Sequence, residues 1–331
     1  MTGARLRIER CGPLTSLQDR GRTAWLRYGV PRSGPVDRLA FEAARRALGA
    51  PADWTAIELS RGGITLVCEA GTSDFVVTGR GFEATVDGAR LGAWTIGRLQ
   101  PGERLDVRSA GANWGYLGFA GRIDARAWLG STATHAPSGL GGGTVVAGTS
   151  LDVEHEWQVR ARPIPAPADD APIAIARAVL GPQEHAFAVA AHDVLRHEPF
   201  RATSRFDRMG MVLDGPLLRP LRVDMASAPV TRGALQIDGE GRATLLLADH
   251  QTTGGYPRIA TLIARDADRV AQLPPASAFR IALLTPAEAI TLHRAEAARD
   301  EAWLDALAHG EPLHARLASA NLISGVNSDP D

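Results

Sequence analysis

"GITLVCEAGTSDFVVTG", residues 63–79, contains two short strand-like runs that are bounded by glycines. Two more runs of the same kind follow, "ERLDVRSA" (103–110) and "NWGYLGFAG" (113–121). Short β-rich segments separated by Gly or Asp turns indicate a barrel or a sandwich rather than βαβ units. The sequence therefore predicts a mainly β fold.

Two segments interrupt this pattern. "VDRLAFEAARRALGAP" (36–51) has leucines and alanines on one side and ends in Gly49 and Pro51, which predicts a helix. "RPIPAPADDAP" (162–172) is rich in proline, which is typical of a stiff linker or an inter-domain crossing.

The C-terminal segment "TPAEAITLHRAEAARDEAWLDALAHG" (285–310) carries a helix start signal. Thr285 and Glu288 form a capping-box pattern, and Pro286 stands at the first helical position. We therefore expect a β-rich α+β chain with two domains. The predicted division is an N-terminal β-rich domain at 1–160, a Pro-rich crossing at 161–172, a second β-rich domain at 173–284, a helix at 285–310 and a tail at 311–331.

Composition excludes several classes of function. The chain has 331 residues, 45% of them hydrophobic and 22% charged, with a formal net charge of −1, so no global field attracts nucleic acid or an anionic membrane. Its two cysteines, Cys11 and Cys68, are too few for a disulfide framework and have no metal-ligand spacing. The N-terminal "MTGARLRIER" has no apolar signal segment, and no long apolar run occurs. We expect a cytoplasmic protein that does not span a membrane.

The absence of lysine is more informative: all 36 basic residues are arginine. The chain therefore cannot form a lysine Schiff base, carry a biotinyl-lysine or supply a P-loop lysine to ATP. Arginine does suit planar, bidentate recognition of carboxylate or phosphate.

Two polar stretches in the first half are candidate anion sites. "GPLTSLQDRGR" (12–22) can present a carboxylate and fixed guanidinium donors, although a surface turn with a local ion pair is the favoured alternative. "YGVPRSGPVDR" (28–38) lies at the entry of the predicted helix, where free N–H groups favour an anion. Capping of that helix by Ser33 or Asp37 is an equal alternative.

Two further stretches lie in the second half. "TSRFDRMGMVLDGP" (203–216) alternates polar groups before a Met-Gly turn, and its alternative is a solvated strand edge. "LADHQTTGGYP" (247–257) ends an apolar run with a carboxylate, an imidazole, an amide and two hydroxyls. Asp249 and His250 there could exchange protons, with the following amide and hydroxyls orienting a substrate. The alternative is an ordinary polar turn.

Together these stretches resemble one family. "GPLTSLQDRGR", "GYLGFAGRIDARAWLGSTATH" (115–135), "SRFDRMGMVLDGP" (204–216) and "LLADHQTTGGYPRIATLIARDADRVAQLPP" (246–275) occur in the order found in the C subunits of bacterial ATP-dependent 5-oxoprolinases. This KipA-like group is also described as allophanate hydrolase subunit 2 or biotin-dependent carboxyltransferase. The resemblance covers about residues 5–285, and "ADHQTTGGYP" is its most specific part.

The resemblance implies two cyclophilin-like β-barrel domains and a heteromeric enzyme. Members of this group act with two other polypeptides, one KipI-like and one LamB/YcsF-like, and the three together open 5-oxo-L-proline to L-glutamate. ATP with Mg²⁺ serves the assembled complex by phosphorylating the lactam oxygen, which activates a poor electrophile. Biotin would be carried only on another chain, and no metal site is expected on this one.

The resemblance also implies site residues. Arg22 and Arg208 would hold carboxylate or phosphate, and Asp249 would be a base or a metal-facing carboxylate. The catalytic candidates are Asp249, Gln251, Asp207 and Arg208. The substrate-binding candidates are Gln18, Asp19, Arg22, Ser33, Asp37, Ser204, Met209, Thr252, Thr253 and Tyr256. His250 is left off the catalytic list.

The chain departs from the family at several points: "ARRALGA" (44–50), "QIDGEGRA" (236–243) and "HAPSGLGGG" (135–143) replace the usual patterns, and Phe206 separates Arg205 from Asp207. These departures leave alternatives open: another lactam as substrate, a carboxyltransferase component that acts on urea or a similar amide, or a regulatory protein that binds a KipI-like kinase inhibitor.

Overall fold

The computed structural model describes residues 3–155, 157–223 and 225–309. The predicted tail at 311–331 lies outside these residues. The N-terminal strands are β1 (Ala4–Cys11), β2 (Ser16–Gln18), β3 (Ala56–Ser60), β4 (Ile64–Ala70), β5 (Ser73–Thr78), β6 (Phe82–Val86), β7 (Ala89–Ala93), β8 (Thr95–Leu99), β9 (Arg104–Ser109), β10 (Trp114–Phe119), β11 (Gly121–Ile123), β12 (Ser150–His155) and β13 (Arg162–Pro163). The C-terminal strands are β14 (Ile175–Leu180), β15 (Phe200–Phe206), β16 (Gly210–Asp214), β17 (Ala228–Pro229), β18 (Ala234–Ile237), β19 (Ala243–Leu246), β20 (Thr253–Gly254), β21 (Arg258–Leu262) and β22 (Ala278–Leu283). The helices are α1 (Arg38–Ala47), α2 (Val189–His197), α3 (Ala264–Ala271) and α4 (Pro286–His309).

The N-terminal strands form two sheets that share one apolar core. One sheet has the order β11-β12-β1-β4-β9-β6-β7, and the other has the order β13-β8-β5-β10-β3-β2. Alternation along β9 shows why the sheets pack: Leu105 and Val107 are fully buried, whereas Arg104 and Arg108 are exposed. Within the described residues, the part at 1–160 is thus a sandwich of two packed sheets.

The C-terminal strands close into a barrel with the order β14-β21-β18-β19-β16-β15-β22. Its closing pair, β14 and β22, is parallel, whereas its other pairs are antiparallel. The predicted mainly β class is confirmed, with one closed barrel and a long C-terminal helix.

Trp114 of β10 joins the two halves, since its buried side chain belongs to the apolar cluster of the barrel. Its ring lies 5.8 Å from that of Phe206, in an edge-on arrangement. The neighbouring Asn113 donates from Nδ2 to the carbonyl oxygens of Ala271 and Leu273, at 2.8 Å each. Sandwich and barrel are therefore held together by buried apolar and polar contacts.

Both predicted helices form with the expected caps. The Asp37 carboxylate accepts a hydrogen bond from the Ala40 N–H at 3.1 Å and begins α1, so the capping alternative for Asp37 is confirmed. In α4, the Thr285 N–H donates to Glu288 Oε2 at 2.8 Å, and the Glu288 N–H donates back to Thr285 Oγ1 at 3.3 Å. The apolar face of α4 packs with α1 against the sandwich.

The Pro-rich crossing is packed against both halves. Arg162 pairs with Ile96 of β8, and Ile164 is buried. Farther along, the Asp169 carboxylate accepts a hydrogen bond from Arg265 Nη2 at 2.7 Å. The predicted domain boundaries stay a prediction. In the part of the chain that the structure describes, none of the helices has the length and hydrophobicity needed to cross a bilayer.

Candidate functional site

Arg208 lies at the centre of a fully buried polar cluster. Its Nε and Nη2 donate to the two oxygens of Asp249 at 2.9 and 3.1 Å, and its Nη1 donates to Glu58. Its Nη2 also donates to the Gly34 carbonyl at 2.6 Å. Burial opposes the charge, but Asp249 and Glu58 hold the pKa of the guanidinium above its usual range. Each of the three guanidinium nitrogens thus donates to a protein acceptor, and the hydrogen bond to the Gly34 carbonyl fixes the loop at that residue.

Glu58 extends this cluster to the next residues of the loop. Its Oε2 accepts a hydrogen bond from the Val36 N–H at 2.8 Å and a second one from the Tyr116 hydroxyl at 2.8 Å. The Asp37 N–H in turn donates to the Tyr116 oxygen at 2.8 Å. Burial, together with the nearby carboxylates, raises the pKa of Tyr116, so the phenol stays protonated and can donate.

Arg232 holds the same loop from the barrel side. It donates to the carbonyls of Pro35, at 2.8 Å, and of Val36, and to the buried carboxylate of Asp268 at 2.6 Å. Arg38 donates to the same carboxylate at 2.8 and 2.9 Å. Side chains from both halves of the molecule therefore fix the backbone at 34–37.

Two glycines bring the loop against the preceding turn. Gly34 has φ +82°, and a Cβ there would lie 2.9 Å from the Arg20 carbonyl oxygen. A Cβ on Gly21, also at φ +82°, would lie 2.7 Å from the Arg32 carbonyl oxygen. The Arg22 N–H donates to that oxygen at 2.8 Å. Only glycine allows both this conformation and this approach, which explains the Gly in "DRGR" and in "RSGP".

This loop forms one wall of a cleft of about 630 Å³ between the sandwich and the barrel. Residues 20–42 line one side, and residues from 230–232, 248–250 and 262–267 line the other. The side chains that carry polar chemistry there are Arg20, Arg32, Ser33, Arg38, Glu42, Thr231, Arg232 and His250. Clefts of this size at the junction of two units are common sites for small molecules.

Arg32 and Ser33 differ from the other polar lining residues. Arg20 is paired with Glu42 at 2.5 Å, whereas Arg32 is exposed and has no acidic partner among the described residues. Although it is exposed, partial desolvation of its guanidinium and the nearby charge of Arg38 lower the pKa of Arg32, an effect that a bound anion would counteract. Ser33 is 4% exposed, and its Oγ has no hydrogen-bond partner in the described part of the chain.

Comparison with known proteins places the chain in a family. A family model described as "Carboxyltransferase domain, subdomain A and B" matches residues 28–283. The chain belongs to this family.

Curated members of similar sequence include the C subunit of 5-oxoprolinase from Escherichia coli (strain K12), which is 32% identical over 290 residues and covers 81% of this chain and 88% of that protein. The C subunit of the Haemophilus influenzae enzyme is 30% identical over 299 residues, which cover 88% of this chain and 93% of that protein. Urea amidolyase from Saccharomyces cerevisiae is 33% identical over 133 residues, which are 40% of this chain and 7% of that enzyme.

Solved structures show the same fold. The crystal structure of TTHA0988 matches with a TM-score of 0.77 and 29% identity over 85% of this chain, which spans 56% of that protein. The urea carboxylase of Kluyveromyces lactis matches with a TM-score of 0.81 and 23% identity over 94% of this chain and 30% of that enzyme.

Of the predicted residues in the first half of this carboxyltransferase-family chain, the structure brings Ser33 to the cleft. Asp19 is buried instead: its carboxylate accepts hydrogen bonds from the N–H groups of Gly21 and Thr132, at 2.8 Å each, and from Ser131 Oγ at 2.6 Å. Gln18 is also buried and donates to the Thr134 carbonyl at 3.1 Å. Both side chains fix the loop at 131–134, so the stretch is not the surface turn considered as its alternative.

Arg22 is buried in the same region. Its side chain donates to the carbonyls of Trp128, at 3.0 Å, and of Ala133, and its guanidinium lies 4.8 Å from the centre of the Trp128 ring. Burial is the main cause that lowers the pKa of Arg22, opposed by Asp19 and Asp249. In the structure the Arg22 guanidinium contacts backbone carbonyls and the Trp128 ring, and the carboxylate or phosphate role predicted for it stays a prediction.

Predicted residues of the barrel lie around a second, open groove of about 410 Å³. Asp207, Met209 and Gln251 line it. The Asp207 carboxylate accepts hydrogen bonds from the N–H groups of Met209 and Gly210 at 2.7 and 3.0 Å, and Gln251 Nε2 donates to Gln236 at 3.1 Å. These residues therefore do not share one site with Ser33.

The remaining predicted residues lie at the surface or in backbone contacts. Ser204 is exposed near the end of β15, and Tyr256 is 51% exposed. Thr253 belongs to β20, which pairs with β17, and the Thr252 carbonyl accepts a hydrogen bond from the Val230 N–H at 3.1 Å. Within 247–257, His250 is the titratable residue that lines the cleft.

Sequence reasoning thus missed Arg32, Thr231 and Arg232, which line the cleft, and the buried Glu58, and it left the cleft-lining His250 off the catalytic list. Arg32 stands directly before Ser33 in "RSG", and His250 stands inside the most specific family stretch, so both had a signal. Glu58 is a single carboxylate in the apolar strand "AIELS", a pattern that requires a buried partner.

The fit of the cofactors that the family implies can be tested on the same residues. The described residues contain no group of three His, Cys, Asp or Glu that could hold a metal ion. Within the same part of the chain, the cleft offers one guanidinium without a carboxylate partner, Arg32, and the sequence has no lysine for biotin or a P-loop. Without lysine, biotin cannot be attached to this chain through a biotinyl-lysine, and the predicted ATP requirement stays a prediction.

Proposed function

We propose that this chain is the C subunit of an ATP-dependent 5-oxoprolinase, which is active only with its KipI-like and LamB/YcsF-like partners, and that the 630 Å³ cleft receives the lactam. The observation that carries the proposal is the similarity to the C subunit of the Escherichia coli enzyme over 81% of this chain and 88% of the relative. In this proposal, ATP with Mg²⁺ acts in the assembled complex.

The cleft supports this role through its charge. Four of its lining residues are arginines and one, Glu42, is a carboxylate. Asp268 behind the wall pairs with Arg38 and Arg232, so the wall keeps a net positive charge. A lactam oxygen that gains negative charge during activation is stabilised by fixed donors and cations in such a site.

His250 supplies a proton acceptor beside these cations. Its Nδ1 lies 2.6 Å from the Gln251 carbonyl oxygen, which can only accept, so Nδ1 carries the proton. Burial lowers the pKa of the imidazole below its usual value, so the ring is neutral at pH 7 and Nε2 keeps its lone pair. His250 would take a proton from the attacking water or return one to the ring nitrogen as the lactam opens.

Reconstitution tests the proposal. The purified chain would be mixed with the KipI-like and LamB/YcsF-like polypeptides, and glutamate formed from 5-oxo-L-proline would be measured with and without ATP. We expect ATP-dependent glutamate only in the complete mixture. No glutamate there, together with biotin-dependent carboxylation of urea in the presence of a biotin-carrying partner, would favour the carboxyltransferase alternative that the urea amidolyase relative supports.

A regulatory role has a different signature. Tight binding to the KipI-like polypeptide with no turnover of either substrate would support a regulatory protein instead.

A further inference from the structure

Arg32 is the cleft cation that lacks a protein carboxylate among the described residues. Arg20 is paired with Glu42, and Arg38 and Arg232 share Asp268. A guanidinium that lines a cleft without a counter-ion is placed to bind a planar anion through two parallel hydrogen bonds.

Ser33 supplies a second donor at the same place. Its hydroxyl is buried and has no partner in the described residues, although buried hydroxyls are normally hydrogen-bonded. The residue also has φ +54°, in the left-handed region that serine rarely adopts. The backbone on either side is fixed, because the Arg32 carbonyl accepts a hydrogen bond from the Arg22 N–H at 2.8 Å and the Gly34 carbonyl accepts one from Arg208 at 2.6 Å. The backbone that carries both donors is therefore held in a defined position at the cleft.

We infer that Arg32 and Ser33 form a subsite for the carboxylate of a small amide or lactam acid. Arg32 donates to both carboxylate oxygens, and the Ser33 hydroxyl donates to one of them. The remaining volume of the cleft, toward Thr231 and His250, then receives the amide of the same molecule. The identity of the ligand rests on the proposed function, whereas the assignment of a carboxylate to this subsite rests on the donors that line the cleft.

Calorimetric titration tests the subsite with three probes: 5-oxo-L-proline, 2-pyrrolidinone, which lacks the carboxylate, and inorganic phosphate. The assembled complex would carry the wild-type chain, Arg32→Ala, Ser33→Ala or the matched control Arg27→Ala. Arg27 is an exposed arginine five positions before Arg32 that lies over the Tyr28 ring, 4.7 Å from its centre. Thermal unfolding of each variant checks that it folds.

We expect Arg32→Ala to weaken binding of 5-oxo-L-proline by about tenfold or more, Ser33→Ala to weaken it by about threefold to tenfold, and Arg27→Ala to leave it unchanged. Binding of 2-pyrrolidinone should not respond to Arg32→Ala. Equal effects of Arg32→Ala and Arg27→Ala would overturn the inference. It would also be overturned if phosphate, and not 5-oxo-L-proline, lost affinity in Arg32→Ala.

Turnover separates the inference from the proposed function. If the complex makes glutamate but the KM of Arg32→Ala is unchanged, the subsite is wrong and the function stands. If the complex makes no glutamate, yet N-acetylglycine, another small amide acid, binds in an Arg32-dependent manner, the subsite stands and the choice of 5-oxo-L-proline fails.

Discussion

Replacing Asp249 by asparagine tests whether the buried cluster positions the cleft or takes part in the chemistry. Asp249 and Glu58 are both 0% exposed, and Arg208 is 2% exposed. Asp249 receives two hydrogen bonds from Arg208, at 2.9 and 3.1 Å. Asparagine keeps the shape and one acceptor oxygen, but its amide group faces an N–H donor of Arg208. One charge-assisted hydrogen bond is therefore lost.

The magnitude follows from burial. A hydrogen bond to a charged group contributes about 1.5–3 kcal/mol, so Asp249→Asn should lower the free energy of unfolding by about 2 kcal/mol. Arg208→Met should cost more, about 3–5 kcal/mol, because it leaves both carboxylates buried without their cation. At about 2 °C per kcal/mol for a chain of this size, Arg208→Met should lower the melting temperature by about 6–10 °C.

The assay combines thermal unfolding with steady-state turnover of the reconstituted complex. If Asp249 acts by positioning the loop at 34–37, Asp249→Asn should raise KM more than it lowers kcat. The control is Asp214→Asn, an exposed carboxylate of β16, which should change the unfolding free energy by less than about 0.5 kcal/mol. A fall in kcat of about a thousandfold at unchanged KM and unchanged stability would refute the positioning account and make Asp249 a catalytic group.

Three further predictions concern the fold and its pH dependence. Gly34→Ala should lower the free energy of unfolding by about 2 kcal/mol or more, because a Cβ at this residue, which has φ +82°, would lie 2.9 Å from the Arg20 carbonyl oxygen. Gly29→Ala is the control: Gly29 has φ +79° but no atom within 4 Å of the added Cβ, so the loss should be only about 1 kcal/mol. Chemical denaturation of both variants compares the two losses. Asn113→Ala removes two buried hydrogen bonds of 2.8 Å between sandwich and barrel, and should lower the unfolding free energy by about 1–3 kcal/mol. Chemical denaturation measures this change as well, and an unchanged midpoint would contradict the prediction. Burial lowers the pKa of His250, so the contribution of its neutral ring to stability is present above the unfolded pKa of about 6.5 and is lost as pH falls through the folded value. The melting temperature of His250→Gln should therefore fall less between pH 7 and pH 5 than that of the wild type. Parallel curves of melting temperature against pH would exclude this contribution.

Local rules predicted the elements whose signals are local. The capping box of Thr285 and Glu288 begins α4 as expected, because its hydrogen bonds join residues three apart. The strands of the sandwich follow the alternation of apolar residues. Barrel closure was not predictable from spacing, because it depends on the parallel pairing of β14 with β22, which lies far along the chain.

The site was predicted less well, because its contacts also join residues that lie far apart in the sequence. Sequence motifs drew attention to Arg208 and Asp249, which do meet in the structure, but their third partner, Glu58, lies 150 positions from Arg208 in a strand without a motif. Of the motif residues, Arg208 and Asp249 fix the loop at 34–37, and Ser33 lines the cleft. Sequence alone does not distinguish Arg32 from Arg20. The structure does, because Arg20 pairs with Glu42, whereas Arg32 has no acidic partner among the described residues.

The central claim is that the substrate enters the cleft between sandwich and barrel, and site-directed labelling tests it most directly. Thr231 is exposed and lines the cleft, whereas Leu221 is 69% exposed and does not line it. Thr231→Cys and Leu221→Cys would be alkylated in the assembled complex with and without 5-oxo-L-proline, and site-specific labelling would be followed by mass spectrometry. The account predicts that the ligand slows labelling at position 231 and leaves position 221 unchanged; equal labelling rates at position 231 with and without saturating ligand would contradict it.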